Sequence, residues 1–332
     1  MDRRAFLAAT AAGLALPQKV LRTSWGPLEF APNALAARLG GTPVALVTAD
    51  LESQVVAYEL PSMKRLRAIR TAPFPRAIEQ VGNVAVVAHS ELGVVTLVDG
   101  ATLSVKKVLR GFGEPRYAAA SHDGRYAYLT DSGAGDMVVI DVRAGRVVGR
   151  VGVGGPARHL SLNRAGRRLW VALGMKARHV AVVDVNDPAR PRLVRRFEPP
   201  WLAHDVGFAT RDRVWVTSGS EREIALYDPR SGNLLKRLPA GAPPQHVTFR
   251  PGAAFLTSGD DGTLERRDVR GGSVVRRSRV PIGSYNVQEA EGFVLTPSLS
   301  AGTLCVADRY GRVIRRVQAA RSSHDACFVM AS

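Results

Sequence analysis

The chain has 332 residues, enough for one large all-β domain or two ordinary domains. Apolar residues make up 45% and charged residues 23%, the composition of a globular protein with a sizeable core, which excludes a disordered or fibrous chain. The net charge is +17, from 46 Lys and Arg against 29 Asp and Glu, and the two cysteines exclude both a disulfide scaffold and a zinc site of four thiolates.

Residues 1–36 read as an export signal and leader, and 37–332 as the folded domain. Arg3-Arg4-Ala5-Phe6-Leu7 precedes an apolar stretch that runs to Leu16 and stops at Pro17. A basic start followed by an apolar run of about a dozen residues fits a signal peptide and is too short for a membrane-spanning helix. The segment resembles a twin-arginine signal through its Arg-Arg-x-Phe-Leu core, although Asp2 stands where that signal usually has Ser or Thr. The resemblance implies export of an already folded protein, to the periplasm or the cell surface. Ala34-Leu35-Ala36 offers a small-x-small cleavage site. No later stretch is apolar for long enough to predict a membrane span.

From residue 43 onward the chain repeats itself. Seven segments align: 43–82, 83–124, 125–166, 167–212, 213–252, 253–292 and 293–332. Each opens with a short apolar run, such as Tyr126-Ala127-Tyr128-Leu129-Thr130 or Val214-Trp215-Val216-Thr217-Ser218. A second run ends in Asp, as in Val138-Val139-Ile140-Asp141 and Ala225-Leu226-Tyr227-Asp228. A basic run follows, such as Val147-Val148-Gly149-Arg150-Val151, and a Gly/Pro-rich link leads to the last, such as Gln245-His246-Val247-Thr248-Phe249. Four short β-type runs per unit, separated by Gly, Pro, Asp and Asn, predict an all-β, seven-bladed β-propeller with four antiparallel strands per blade. Residue 43 starts at the second strand of a blade, and His324-Asp325-Ala326-Cys327-Phe328-Val329 matches a first strand. The C-terminal run is therefore expected to complete the first blade and close the ring.

These repeats resemble the YVTN-repeat (YncE-like) propellers, which are related to the haem-d1 propeller of nitrite reductases. The clearest copy is 125–166, with Tyr-Ala-Tyr-Leu-Thr, Val-Val-Ile-Asp-Val, Gly-Arg-Val-Val and Val-Gly-Val-Gly-Gly-Pro. The intact Tyr-Val-Thr-Asn tetrapeptide is absent from the sequence. The resemblance implies the scaffold, and function has to be sought in the site carried on it.

In such a propeller the first strand of each blade lines the central channel, and its leading residues form a ring at one mouth. Alignment of the copies gives one column of Arg76, Arg116, Arg158, His204, Gln245, Tyr285 and His324, and a second of Ala77, Tyr117, His159, Asp205, His246, Asn286 and Asp325. Framework positions repeat similar residue types, whereas these columns hold different polar residues. Strand alternation implies that only one column faces the channel at a given depth. The second is favoured because Val206, Val247 and Val287 follow it in register. His159, Asp205, His246 and Asp325 are thus candidate ligands of a metal ion in the central channel, since imidazole and carboxylate suit Zn, Fe or Cu. Arg76, Arg116, Tyr117, Arg158, His204, Tyr285, Asn286 and His324 are candidate contacts for a small anionic or cofactor-like ligand. A water-filled channel also needs a polar lining, and His–Asp pairs can satisfy one another there.

Catalytic residues are not assigned. His204 beside Asp205, and His324 beside Asp325, are acid–base candidates, but neighbours in a strand diverge and cannot form a simple dyad. There is no Gly-x-Ser-x-Gly elbow, P-loop or dinucleotide fingerprint. The expected function is an exported binding or scaffolding protein that presents a polar His/Asp/Arg mouth to a small ligand or protein partner. The alternative is a metal- or cofactor-binding enzyme of the lactonase or haem-d1-propeller type, both of which occur among seven-bladed propellers.

The remaining basic residues fall mostly in the outermost run of each unit, as in Arg65/Arg67/Arg70 and Arg276/Arg277/Arg279. Charged edge strands resist pairing with other sheets; the same rim could draw the protein to an anionic cell-surface polymer. Few aromatics interleave with these arginines, which argues against nucleic acid. Cys305 and Cys327 fall in non-neighbouring runs and are expected to be buried free thiols. Trp170 and Trp215 occupy matching positions and are expected to pack between blades.

Overall fold

The computed structural model describes residues 40–174 and 178–332; the expected export signal and the expected cleavage site at Ala34-Leu35-Ala36 lie outside the described residues. Seven four-stranded antiparallel sheets make seven blades. The first holds β1 (Thr42–Ala49), β2 (Gln54–Glu59) and β3 (Arg65–Arg70). The second holds β4 (Ala77–Val81), β5 (Val84–His89), β6 (Val94–Asp99) and β7 (Ser104–Arg110). The third holds β8 (Pro115–Ala120), β9 (Tyr126–Asp131), β10 (Asp136–Asp141) and β11 (Arg146–Gly152). The fourth holds β12 (Leu160–Leu162), β13 (Arg168–Ala172), β14 (Val180–Asp184) and β15 (Arg192–Phe197). The fifth holds β16 (Val206–Thr210), β17 (Arg213–Thr217), β18 (Glu223–Tyr227) and β19 (Leu234–Pro239). The sixth holds β20 (Val247–Arg250), β21 (Ala253–Ser258), β22 (Thr263–Asp268) and β23 (Val274–Arg279). The seventh holds β24 (Gln288–Ala290), β25 (Phe293–Pro297), β26 (Thr303–Asp308) and β27 (Val313–Gln318).

The last strand, β28 (Ala326–Ala331), does not start an eighth blade. It pairs antiparallel with β1, with Val44 opposite Val329 and Leu46 opposite Cys327, and so supplies the inner strand of the first blade. Asn83, in the β4–β5 turn, locks the closure by acting as a backbone surrogate. Its Nδ2 donates to the Met330 carbonyl and its Oδ1 accepts from the Met330 N–H, both at 2.8 Å.

Alternation along each central strand buries both of its faces against different neighbours. In β1, Val44 and Leu46 pack on the second blade, while Ala45 and Val47 pack on the seventh. The same pattern around the ring places an apolar cluster at every blade interface. Trp170 and Trp215 lie inside two of these clusters. Trp170 meets Phe208 and Tyr227 of the next blade edge to face, and Trp215 meets Phe249 of the next blade. Cys305 and Cys327 are buried free thiols.

The outermost strands β3, β7, β11, β15, β19, β23 and β27 are largely exposed. Each pairs with its neighbour through a register shift at the same place, for example between Ala57 and Tyr58 in β2 and between Leu226 and Tyr227 in β18. A bulge increases the local twist and spoils the edge as a template for further pairing, as do the arginines that project from it. Several of those arginines are tied to acids of the adjacent strand: Arg150 to Asp136 at 2.9 Å, and Arg277 to Glu265 at 2.5 Å. No helix among the described residues is long and apolar enough to cross a membrane.

Candidate functional site

The inner strands β28, β4, β8, β12, β16, β20 and β24 surround the channel, and their leading ends meet at one mouth. Arg158 and His159 directly precede β12, His204 and Asp205 precede β16, Gln245 and His246 precede β20, and His324 and Asp325 precede β28. These residues lie in links rather than in strands. The alternation expected of them therefore does not apply, and members of both columns reach the same space. Arg116 and Tyr117 lie within β8, in the irregular stretch between Pro115 and Ala118 that frees them from strand register.

Three imidazoles converge. One ring nitrogen from each of His159, His204 and His246 lies within 4.8 Å of the others. The ring centroids are 4.2 Å apart for His159 and His246, 4.9 Å for His159 and His204, and 5.2 Å for His204 and His246. Tyr117 covers the group, with its ring 3.9 Å from that of His159 and 5.6 Å from that of His246. His159 and His246 are 3% and 7% exposed, so water reaches them little, whereas His204 is half-buried at the outer lip. His159, His246, Tyr117 and Arg116 also line a channel cavity of about 330 Å³.

The tautomer of His159 is fixed. Its Nδ1 bonds the main-chain carbonyl of His204, and a carbonyl only accepts, so Nδ1 carries the hydrogen. The lone pair then sits on Nε2, which is buried and has no hydrogen-bond partner. A histidine whose far nitrogen is anchored on a carbonyl while its near nitrogen is bare is the arrangement that metal-ligating histidines adopt. Burial, with the neighbouring imidazoles and Arg158 adding to it, holds His159 well below its ordinary pKa; His246 is similarly depressed by burial. Burial, with help from Arg158, pushes His204 down to about 3. All three rings are neutral donors at neutral pH. Tetrahedral ligation at about 2.0–2.1 Å would set ligand atoms roughly 3.3 Å apart, so the three nitrogens would have to draw together by at most about 1.5 Å to hold one ion.

Gly219 seats the outermost of these rings. Its φ of +75° favours glycine, and a Cβ there would stand 2.6 Å from the Cβ of His204. Gly174 serves Arg158 in the same way, since a Cβ would meet the Arg158 Cδ at 2.4 Å.

Asp205 and Asp325 are turned to another task. Asp205 accepts from the N–H of Val206 at 2.7 Å and, through its other oxygen, from Val247 of the next blade at 2.9 Å. Asp325 accepts in the same way from Ala326 at 2.9 Å and from Ile78 of the next blade at 3.1 Å. These carboxyls clamp adjacent inner strands together. Asp205 still comes within 3.7 Å of the His246 Nδ1, and burial pushes its carboxyl up to about 7. The ligand set expected from the second column is therefore reshaped: His159 and His246 are joined by His204 from the first column, while the two aspartates bind main chain.

The other mouth residues stand around this centre. His324 donates from Nδ1 to the Arg76 carbonyl at 2.7 Å, and Asn286 donates to the His324 carbonyl at 2.8 Å. Arg76 pairs with Asp50 at 3.3 Å, and Arg116 pairs with Glu114. Tyr285 is drawn aside, with its hydroxyl donating to Asp260 at 2.8 Å.

A set of threonines supports the ring and was not singled out as functional from sequence. Thr130 donates to the Arg158 carbonyl and Thr217 to the Gln245 carbonyl, each at 2.6 Å, and Thr257 donates to the Tyr285 carbonyl. Each bond ties the end of a second strand to the mouth link of the following blade. The available signal was the threonine that closes successive apolar runs at Leu129-Thr130, Val216-Thr217 and Leu256-Thr257.

No protein-family model matches the chain. Over 156 residues it is 26% identical to protein NirF of Stutzerimonas stutzeri, a match that covers 47% of this chain and 39% of NirF. The chain thus matches well under half the length of that relative. Solved structures of similar form include Kuenenia stuttgartiensis hydrazine synthase, with a TM-score of 0.68 and 16% identity over 79% of this chain and 91% of that one. Apo AztD from Citrobacter koseri gives a TM-score of 0.68 at 11% identity, covering 87% of this chain and 98% of that one. A functionally unknown protein from Desulfotomaculum acetoxidans gives 0.72 at 10% identity, covering 87% and 99%. At such identities these structures show the propeller fold alone.

Proposed function

We propose that this chain is an exported binding propeller whose channel mouth captures a divalent transition metal ion through His159, His204 and His246. The observation that carries the reading is the convergence of one ring nitrogen from each of the three histidines within 4.8 Å, beside which the Nε2 of His159 is buried and unpartnered. An unsatisfied buried acceptor carries a desolvation cost of about 1–3 kcal/mol, which a bound cation would remove. Three neutral imidazoles suit zinc, copper, nickel or cobalt, and they do not suit calcium or magnesium, which take oxygen ligands. The twin-arginine-like N-terminus supports a place outside the cytoplasm.

Elemental analysis of the protein recovered from its exported state tests this. One equivalent of a transition metal per chain is the expected result. The chain carrying both His159→Ala and His246→Ala should contain none while melting cooperatively. Metal-free native protein that also fails to take up zinc or copper at micromolar concentration would remove the proposal.

A further inference from the structure

The guanidinium of Arg158 is the unbalanced charge of the mouth. Arg76 is matched by Asp50 and Arg116 by Glu114, but Arg158 has no acidic partner among the described residues. Its Nε is buried without a hydrogen-bond acceptor, and so is that of Arg116. Arg158 directly precedes His159, lies across Gly174, and is close enough to act electrostatically on His159, His204, His246 and Tyr117.

A divalent ion held by three neutral imidazoles keeps its full double charge. With Arg158 beside it, the mouth would concentrate positive charge in a poorly hydrated space, which is unfavourable unless an anion joins it. Asp205 stands 3.7 Å from the His246 Nδ1, but the carboxyls nearest the cluster are already engaged. Asp205 and Asp325 spend their oxygens on the main-chain N–H groups of Val206, Val247, Ala326 and Ile78. Three protein ligands also leave one tetrahedral position open.

We infer that this position is filled by a small oxyanion, a carboxylate or phosphate group, which one oxygen attaches to the metal while another is gripped by Arg158. The inference rests on the metal reading above and extends it to the class of ligand that the site takes. The planar guanidinium fork matches both groups, whereas a neutral ligand would leave the positive charge of the mouth uncompensated. Tyr117, its ring tilted against that of His159 with centroids 3.9 Å apart, covers one side of the same space, so the anion enters from the half-buried lip formed by Arg158 and His204.

The test uses the full chain loaded with Co(II), whose visible absorption reports coordination. Formate, phosphate and azide are titrated into the cobalt protein. Saturable spectral change with formate or phosphate is expected. The Arg158→Met variant should bind the same anion about tenfold or more weakly, because a charge-assisted hydrogen bond is lost, while still holding one cobalt per chain. Arg158→Lys should fall between, and Arg211→Met, an exposed arginine in the β16–β17 turn, should match the unaltered protein. If the cobalt spectrum ignores all three anions, or if Arg158→Met binds them as tightly as the unaltered protein, the oxyanion inference fails while the metal site stands. A response to azide alone would also overturn the oxyanion class. If no cobalt binds, the metal reading fails and this inference falls with it.

Discussion

The Nδ1 of His159 donates to the main-chain carbonyl of His204, one blade further round the ring, and the two imidazoles stack 4.9 Å apart. One residue thus orients its neighbour with its backbone and joins it with its side chain. The carbonyl bond survives any change to the His204 ring, so the tautomer of His159 is set by the fold of the link.

The histidines of the mouth should separate in a metal-binding assay. His246→Ala removes a converging nitrogen and should weaken zinc affinity by more than the roughly 10–100-fold that the loss of an outer hydrogen-bond partner costs. His324→Ala should leave the stoichiometry at one, because the His324 Nδ1 is engaged by the Arg76 carbonyl and the ring lies outside the triad. Competition titration against a chromophoric chelator measures both, and equal loss in the two variants would contradict the assignment.

Asp325 should matter to stability more than to metal. Asp325→Ala strips acceptors from the N–H groups of Ala326 and Ile78 at the junction of the first and second blades. A buried donor left unsatisfied costs about 1–3 kcal/mol, so a clear drop in urea midpoint is expected, with metal content unchanged. An unaltered midpoint would show that the clamp contributes nothing.

Glu79 should make stability depend on pH. Burial raises its carboxyl from the usual 4.5 to about 7, although Gln288 donates to it at 3.0 Å. Between these values the folded chain keeps a proton that the unfolded chain has released, so this group's contribution falls as pH rises, and its cost is complete above about 7. Glu79→Gln keeps the hydrogen bond without the charge. It should be more stable than the unaltered protein at pH 8, by about 1–3 kcal/mol, with the difference vanishing towards pH 4.5. Urea unfolding at the two pH values checks this; parallel pH profiles for the two proteins would refute it.

Deletion of the residues after 322 should unfold the whole ring. It removes β28, whose Cys327 and Val329 pack on the second blade and whose Ala326 and Phe328 pack on the seventh. Two apolar interfaces and the inner edge of β1 would open at once. Loss of the cooperative melting transition is expected, and a truncated chain with an unchanged transition would contradict the role given to closure.

The architecture was readable because it is periodic. Runs such as Val138-Val139-Ile140-Asp141 recur with turn residues at fixed offsets, and the unmatched run at the C-terminus had one place to go. The mouth was readable only in part. The polar columns stood out against a repeating framework, and the favoured second column, from Ala77 to Asp325, does line the channel cavity. Alternation did not foresee that His204 of the first column would join His159 and His246, because these residues lie in links ahead of their strands. The fate of Asp205 was also hidden: its second donor is the N–H of Val247, 42 residues later, and the two meet only when blades are neighbours.

His159, His204 and His246 are proposed to hold one metal ion. Anomalous scattering at the zinc edge from crystals of the zinc-loaded protein tests it most directly. The expected map has a single strong peak at the channel mouth, about 2.0–2.1 Å from one nitrogen of each of the three rings. A mouth without a peak, or zinc held only by other side chains while these rings stay apart, would contradict it.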